Sequence, residues 1–145
     1  MTAKTYLKRI RLLDERIDDG CEELAQLDAL LKKVTAAMGG EVVSSSKDRD
    51  KMTDILHKID NLRKKLNRNV DKYVDIKNEA ADLLPMVENP VYQTILHSRY
   101  VLYKTFENIA DEIGYTYQWT VHLHGLALLE FEKILEKRQI VDRNL

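Results

Sequence analysis

Apolar residues recur at alternating steps of four and three along the first part of the chain. This spacing predicts a helix with one apolar face. The series over residues 6–38 is Tyr6, Ile10, Leu13, Ile17, Gly20, Leu24, Leu27, Leu31, Val34 and Met38. Gly20 is its weakest member, because glycine costs roughly 1 kcal/mol relative to alanine inside a helix. We expect one long helix over about 3–38, with a break near Gly20 as the alternative.

The same spacing returns over residues 47–84 and predicts a second long helix. Its members are Met52, Ile55, Ile59, Leu62, Leu66, Tyr73, Ile76, Ala80 and Leu83. Asn69 occupies a position of this seam. It either lies in the seam, where a buried Asn can fix the register of paired helices, or faces water while Val70 turns inward.

The segment between the two long helices is short. Gly39-Gly40 is expected to end the first helix, residues 41–46 to connect the two, and Ser45 or Ser46 to cap the second. Two long amphipathic helices joined this way predict an antiparallel, coiled-coil-like hairpin over residues 1–84. Such a hairpin needs a further surface to cover its apolar stripes: a second subunit, the C-terminal helices or a foreign partner.

Capping signals divide residues 85–145 into shorter helices. Pro85 ends the second long helix, and Asn89-Pro90 begins a third. Thr105 suits the N-cap of a fourth helix, which ends at Gly114, and Thr116 suits the N-cap of a fifth. Two helices joined by a three- to four-residue turn that contains glycine predict a helix-turn-helix.

The fifth helix has its own apolar series, which is Thr120, Leu123, Ala127, Phe131 and Ile134. Past Leu135 the chain is polar, and we expect it to fray. The predicted fold is all-α: the hairpin over 1–84, with helices at about 3–38 and 47–84, followed by a three-helix domain over 85–145.

Residues 86–135 resemble region 4 of sigma-70-type transcription factors, and more closely the small phage regulators of the ArpU-like group. The matching residues are Asn89-Pro90, Arg99-Tyr100, Ile109-Ala110, Ile113-Gly114-Tyr115-Thr116, Leu123-His124-Gly125 and Ala127-Leu128. The resemblance implies a helix-turn-helix domain that binds double-stranded promoter DNA. His124 matches a position of that group, where we expect a hydrogen-bonding structural residue.

Docked in the usual way, the start of the fifth helix enters the major groove of DNA. The residues facing the bases are then Tyr117, Gln118, Val121 and His122. Gln118 can pair with adenine and His122 can donate to guanine N7. The residues near the phosphates are Arg99, Lys104, Thr105 and Thr116.

The charge distribution points away from tight DNA binding by this segment alone. Formal net charge is −1, and residues 85–145 hold 6 basic and 8 acidic residues. No Lys or Arg lies between Lys104 and Lys133, although phosphate neutralisation supplies much of DNA affinity. The similar regulators carry basic or strongly polar side chains where this chain has Val121 and Leu126.

The fifth helix has more apolar residues than one core can cover. We expect Trp119, Leu126 and Leu129 to form an interface, with Leu126 and Leu129 touching a second subunit or the hairpin. The alternative is burial against residues 86–102.

The sequence predicts neither an enzyme nor a metal or cofactor site. His122 and His124 are two residues apart and point to different sides of a helix, so they do not chelate one metal. No phosphate loop, nucleophile elbow or catalytic carboxylate pair occurs. The chain lacks an apolar run of membrane length and a signal-peptide core. We expect no membrane partner and a place in the cytoplasm of a bacterial host.

Two functional hypotheses follow. The first is a phage or mobile-element transcription regulator that reads promoter DNA, with a hairpin that dimerises it or contacts RNA polymerase. The second is a phage-encoded module that keeps the fold, has lost the DNA contacts, and inhibits or redirects a host protein. A homo-oligomeric helical scaffold is a weaker third reading.

Overall fold

The structure is a computed structural model that describes residues 1–38 and 46–144. Within these ranges the chain is all-helical and contains no strand, which confirms the predicted class. The elements are α1 (Ala3–Ala37), α2 (Ser46–Leu83), a 3-10 turn (Leu84–Met86), α3 (Pro90–Tyr100), α4 (Phe106–Ile113) and α5 (Tyr117–Arg143). The predicted stop at Gly39-Gly40, residues 41–45 of the predicted connection over 41–46, and the Ser45 cap lie outside the described residues. Ser46, the last residue of that connection and the other predicted cap, is the first residue of α2.

The helices divide into two compact units. The first unit combines Met1–Leu12 with Tyr73–Leu145, and the second is Leu13–Lys72. The beginning of α1 and the end of α2 therefore belong to the same unit as α3, α4 and α5.

In the second unit, α1 continues through Gly20 without a break, as expected. Gly20 is buried and lies directly against Leu66 of α2. Asn69 is half-buried and lines the same groove as Gly20 and Leu66, whereas Val70 is 40% exposed. Of the two alternatives for this position, the seam is therefore occupied by Asn69.

The core of the first unit lies beneath α5, whose buried residues follow helical spacing. They are Thr120, Leu123, His124, Ala127, Phe131 and Leu135. Leu123 packs with Ile95 of α3 and Ile109 of α4, so three helices share one apolar cluster. The ring of Tyr6 lies 5.9 Å from that of Phe131, centroid to centroid, and so α1 begins against α5.

Polar contacts fix the corner between α2 and α3. The backbone N–H of Glu88 donates to Glu130 Oε1 of α5 at 3.1 Å. The side-chain amide of Gln93 donates to the carbonyl oxygens of Pro85 and Val87. These bonds hold the start of α3 next to α5.

The expected fraying beyond Leu135 is wrong, because α5 continues to Arg143. Leu135 is itself buried, so the helix still has an apolar surface to cover at that point. One turn further, Arg138 lies 4.0 Å from carboxylates of Glu79 on α2 and Asp142 on α5. The end of α5 thus keeps a buried apolar residue and an ion pair with α2, which local polarity does not reveal. None of the described helices has an apolar stretch that could cross a membrane.

Candidate nucleic-acid interface

The turn between α4 and α5 is built from the capping residues that the sequence indicates. The hydroxyl of Thr105 accepts a hydrogen bond from the N–H of Asn108 at 3.2 Å. The hydroxyl of Thr116 accepts one from the N–H of Trp119, also at 3.2 Å. Each threonine therefore satisfies a backbone donor in the first turn of its helix, which confirms both predicted N-caps.

Gly114 makes the turn tight. Its φ of 75° and ψ of 27° lie in the left-handed region, where a side chain is strained. The N–H groups of Gly114 and Tyr115 both donate to the carbonyl of Ala110, at 2.9 and 3.1 Å. This pattern ends α4, and the N-cap of α5, Thr116, follows two residues after Gly114, as the sequence predicts.

The predicted base-facing residues all lie on the exposed side of the first turns of α5. Tyr117, Gln118, Val121 and His122 are accessible, while Thr120 and Leu123 of the same turns are buried. The ring of His122 packs 5.1 Å from that of Trp119, centroid to centroid. These four side chains are exposed on the first two turns of α5.

The two cations among the predicted phosphate contacts are engaged within the molecule. Lys104 Nζ lies 2.9 Å from both carboxylate oxygens of Glu112. Arg99 donates to the carbonyl of Lys104 at 3.0 Å, and its guanidinium lies 4.3 Å from the ring centroid of Phe106. Thr105 and Thr116 accept in their caps, so their hydroxyl protons can still be donated to phosphate oxygens.

Behind this surface, Tyr100 and His124 form a buried hydrogen-bonded pair. The Tyr100 hydroxyl lies 2.7 Å from His124 Nε2, and the two rings are stacked. Burial, then the positive charges of Arg99 and Lys4, lowers the pKa of His124 to about 4. Burial also raises the pKa of Tyr100 to about 12. Both groups are neutral near pH 7, and His124 has the structural role that we expected.

The predicted interface residues are exposed within the described chain. Trp119 is 49%, Leu126 37% and Leu129 60% accessible, so burial against residues 86–102 does not cover them. Gly125 adjoins them, and apart from its chain neighbours and the backbone of its own helix, no described atom lies within 4 Å of the position that a Cβ would take there. The outer side of α5 is therefore apolar beyond the predicted base-facing residues.

No family model, curated protein or solved structure matches this chain.

Sequence reasoning missed one cluster of cations in the same compact unit as this surface. Residues 1–12 contain Lys4, Lys8, Arg9 and Arg11 and no acidic residue. The guanidinium of Arg11 lies 5.5 Å from the ring centroid of Tyr103, in the connection before α4. Counting charge over residues 1–46 hid this segment, because that span holds 7 basic and 8 acidic residues. The run without acids was the signal that could have revealed it.

Among residues 1–38 and 46–144, no group of three His, Cys, Asp or Glu side chains is arranged to hold a metal ion. The surface around the turn between α4 and α5 carries hydrogen-bonding, aromatic and cationic groups.

Proposed function

We propose that the protein is a DNA-binding transcription regulator of a phage or another mobile element. The observation that carries this proposal is the geometry of α4, Gly114 and α5. A short capped helix, a left-handed glycine and a second capped helix leave the first turns of α5 exposed. In helix-turn-helix proteins these turns enter the major groove of DNA. The resemblance of residues 86–135 to sigma region 4 supports the same function.

Gln118 is the side chain best suited to read a base. It is the second residue of α5 and is exposed, and an amide can bond adenine N6 and N7 together. His122 follows on the same side of the helix, where its ring can donate to guanine N7. Val121 and Tyr117 add apolar contact, of the kind that favours a thymine methyl group.

The long helices fit an antiparallel hairpin that dimerises the protein or contacts RNA polymerase. Gly20 contacts Leu66, and these residues lie 17 and 20 residues from Ala37 and Ser46. Parallel helices would then separate Ala37 from Ser46 by roughly 56 Å at 1.5 Å per residue. The nine intervening peptide units span at most about 32 Å. This comparison supports the antiparallel direction.

DNA binding is tested by selection from a duplex library with a randomised central segment, followed by titration at rising salt. We expect binding at low salt, and we expect log K to fall linearly with the logarithm of the salt concentration. On the selected site, Gln118→Ala should cost about 1–3 kcal/mol and relax the preference at one base pair. Gln139→Ala, on the same helix but far from the turn, is the matched control and should bind like the wild type. Absence of any duplex binding at low salt would remove the proposal.

A second candidate is a protein-binding module that inhibits or redirects a host protein. The exposure of Trp119, Leu126 and Leu129 favours it, because contiguous exposed apolar side chains mark interfaces. Residues 105–132 contain no Lys or Arg, which favours a protein over DNA at this face.

Comparison of two variants separates the candidates. Under the second candidate, Leu126→Ser with Leu129→Ser abolishes capture of a stoichiometric host partner, and Gln118→Ala does not. Light-scattering mass of the same variants reports whether the partner is a second copy of the chain. Equal capture by the wild type and the serine variant would exclude this face as the interface.

A further inference from the structure

The beginning of α1 carries a row of cations on one side. Lys4, Lys8 and Arg11 are spaced by four and three residues, so they share a face of the helix. All three side chains are exposed. We name this surface the α1 basic face. Its orientation is fixed, because Leu7 and Ile10 of the same turns are fully buried in the first unit.

The α1 basic face lies near the connection before α4 and near α5. At one end, Arg11 stacks on Tyr103, two residues before the Thr105 cap of α4. At the other end, Lys4 is close enough to His124 of α5 for its charge to act on the imidazole. The row therefore runs past the start of α4 and reaches α5, within the same unit.

We propose that the α1 basic face binds the phosphate backbone of the duplex whose major groove α5 reads. This inference rests on the proposed function. The α4–α5 segment has five acidic residues over 105–132 and no Lys or Arg, and Lys104 is paired with Glu112. A helix-turn-helix still needs cations to neutralise phosphates. Lys4, Lys8 and Arg11 supply them from outside the motif.

The burial of α1 favours DNA over an anionic membrane. A helix that lies on a membrane inserts its apolar face between the lipids. Here that face, formed by Ala3, Leu7 and Ile10, is already fully covered by the first unit. Only the charged side is presented outward, as expected for a surface that meets phosphates without insertion.

The test is the salt dependence of binding to a mixed-sequence duplex. The variant Lys4→Gln/Lys8→Gln/Arg11→Gln removes three charges from the α1 basic face. The matched control, Arg63→Gln/Lys64→Gln/Lys65→Gln, removes three exposed charges from α2, where Lys64 already pairs with Asp60. For the first variant we expect the negative slope of log K against log salt to become shallower by about 2–3, at about 0.9 per lost phosphate contact. The control should keep the slope of the wild type.

A second variant guards against a loss of structure, since Arg11→Gln also removes the stack on Tyr103. Lys4→Gln/Lys8→Gln leaves that stack intact and should make the slope of log K against log salt shallower by about 1–2. Circular dichroism and thermal melting confirm that each variant is folded. Lys4→Arg/Lys8→Arg keeps the charges and should restore the slope.

The outcomes separate this inference from the function on which it rests. Failure of the wild-type protein to bind duplex DNA at low salt overturns both. Binding by the wild type with equal slopes for the two triple variants overturns the α1 basic face alone. If Lys4→Gln/Lys8→Gln/Arg11→Gln loses the wild type's binding to phosphatidylglycerol vesicles but binds DNA like the wild type, the inference is also overturned. The cations then belong to a membrane-binding surface.

Discussion

Leu66 of α2 occupies the space that a side chain at Gly20 of α1 would need. A Cβ at residue 20 would collide with Leu66 Cδ2 and lie 3.0 Å from Cγ. Real Cβ atoms rarely approach carbon atoms so closely, and well-packed cores resist added volume. Gly20 therefore allows the two helices to approach each other at this level, and its helical cost is offset by the contact.

Gly20→Ala should destabilise the protein, although alanine favours a helix by roughly 1 kcal/mol. Overpacking typically costs about 1–3 kcal/mol, so we expect a net loss of about 1 kcal/mol in the free energy of unfolding. In a Leu66→Ala background the space is open, and the same substitution should stabilise by about 1 kcal/mol. Urea denaturation of the four proteins measures this reversal of sign. A stabilisation of equal size in both backgrounds would show that the helices do not meet at residue 20.

The caps and turns could be predicted from the sequence because their chemistry is local. Thr105, Gly114 and Thr116 were each assigned from their own type and from a few neighbours, and each has the expected geometry. Gly20 could not be assigned in this way. A glycine at a seam position has the same sequence signal whether it weakens a helix or admits a neighbour, and only the partner Leu66 decides between them.

Features that depend on distant segments were missed for the same reason. The end of α5 is polar in sequence and remains helical because Leu135 is buried and Arg138 approaches Glu79 of α2. The α1 basic face lies at the other end of the chain from α5, so its place near α4 and α5 follows only from contacts between distant segments, such as Arg11 on Tyr103 and Tyr6 on Phe131. Charge counted along the chain does not reveal charge that folding brings together.

Stability should fall between pH 6.5 and pH 4 because of His124. Its folded pKa of about 4 lies below the ordinary value of 6.5, so the unfolded chain binds this proton more tightly. The full contribution is present above pH 6.5 and is lost as the pH falls. Tyr100 stays neutral over this range. At 1.36 kcal/mol per pKa unit, we expect a loss of about 2 kcal/mol between pH 7 and pH 5.

The His124 contribution is isolated by comparison with His124→Gln, which keeps a neutral hydrogen-bonding side chain beside Tyr100. Both proteins are denatured with urea at pH 7 and at pH 5. The wild type should lose about 2 kcal/mol more than the variant over this interval. An identical pH dependence would mean that the imidazole is not held neutral by burial.

Alanine substitutions at Gly114 and Gly125 should have opposite effects on stability. Gly114 has a φ of 75°, and an alanine in the left-handed region costs about 1–2 kcal/mol. Gly125 lies within α5 with open space where its Cβ would be, so alanine should stabilise by about 0.5–1 kcal/mol. Thermal unfolding followed by circular dichroism measures both changes. Gly114→Asn should cost less than Gly114→Ala, because asparagine tolerates positive φ better.

Glu112→Gln should strengthen DNA binding by releasing Lys104 at the start of α4. The carboxylate of Glu112 holds Lys104 Nζ through both of its oxygens, at 2.9 Å each. Both side chains are substantially exposed, and such a pair contributes only about 0–1 kcal/mol to stability, so the fold should tolerate the change. The freed ammonium can then meet a phosphate, which should make the negative slope of log K against log salt steeper by about 0.9.

Asp111→Asn removes the same charge from the neighbouring position of α4 without releasing Lys104. It should increase affinity less and leave the slope unchanged. If the two variants behave alike, general repulsion rather than the pairing of Lys104 governs the affinity.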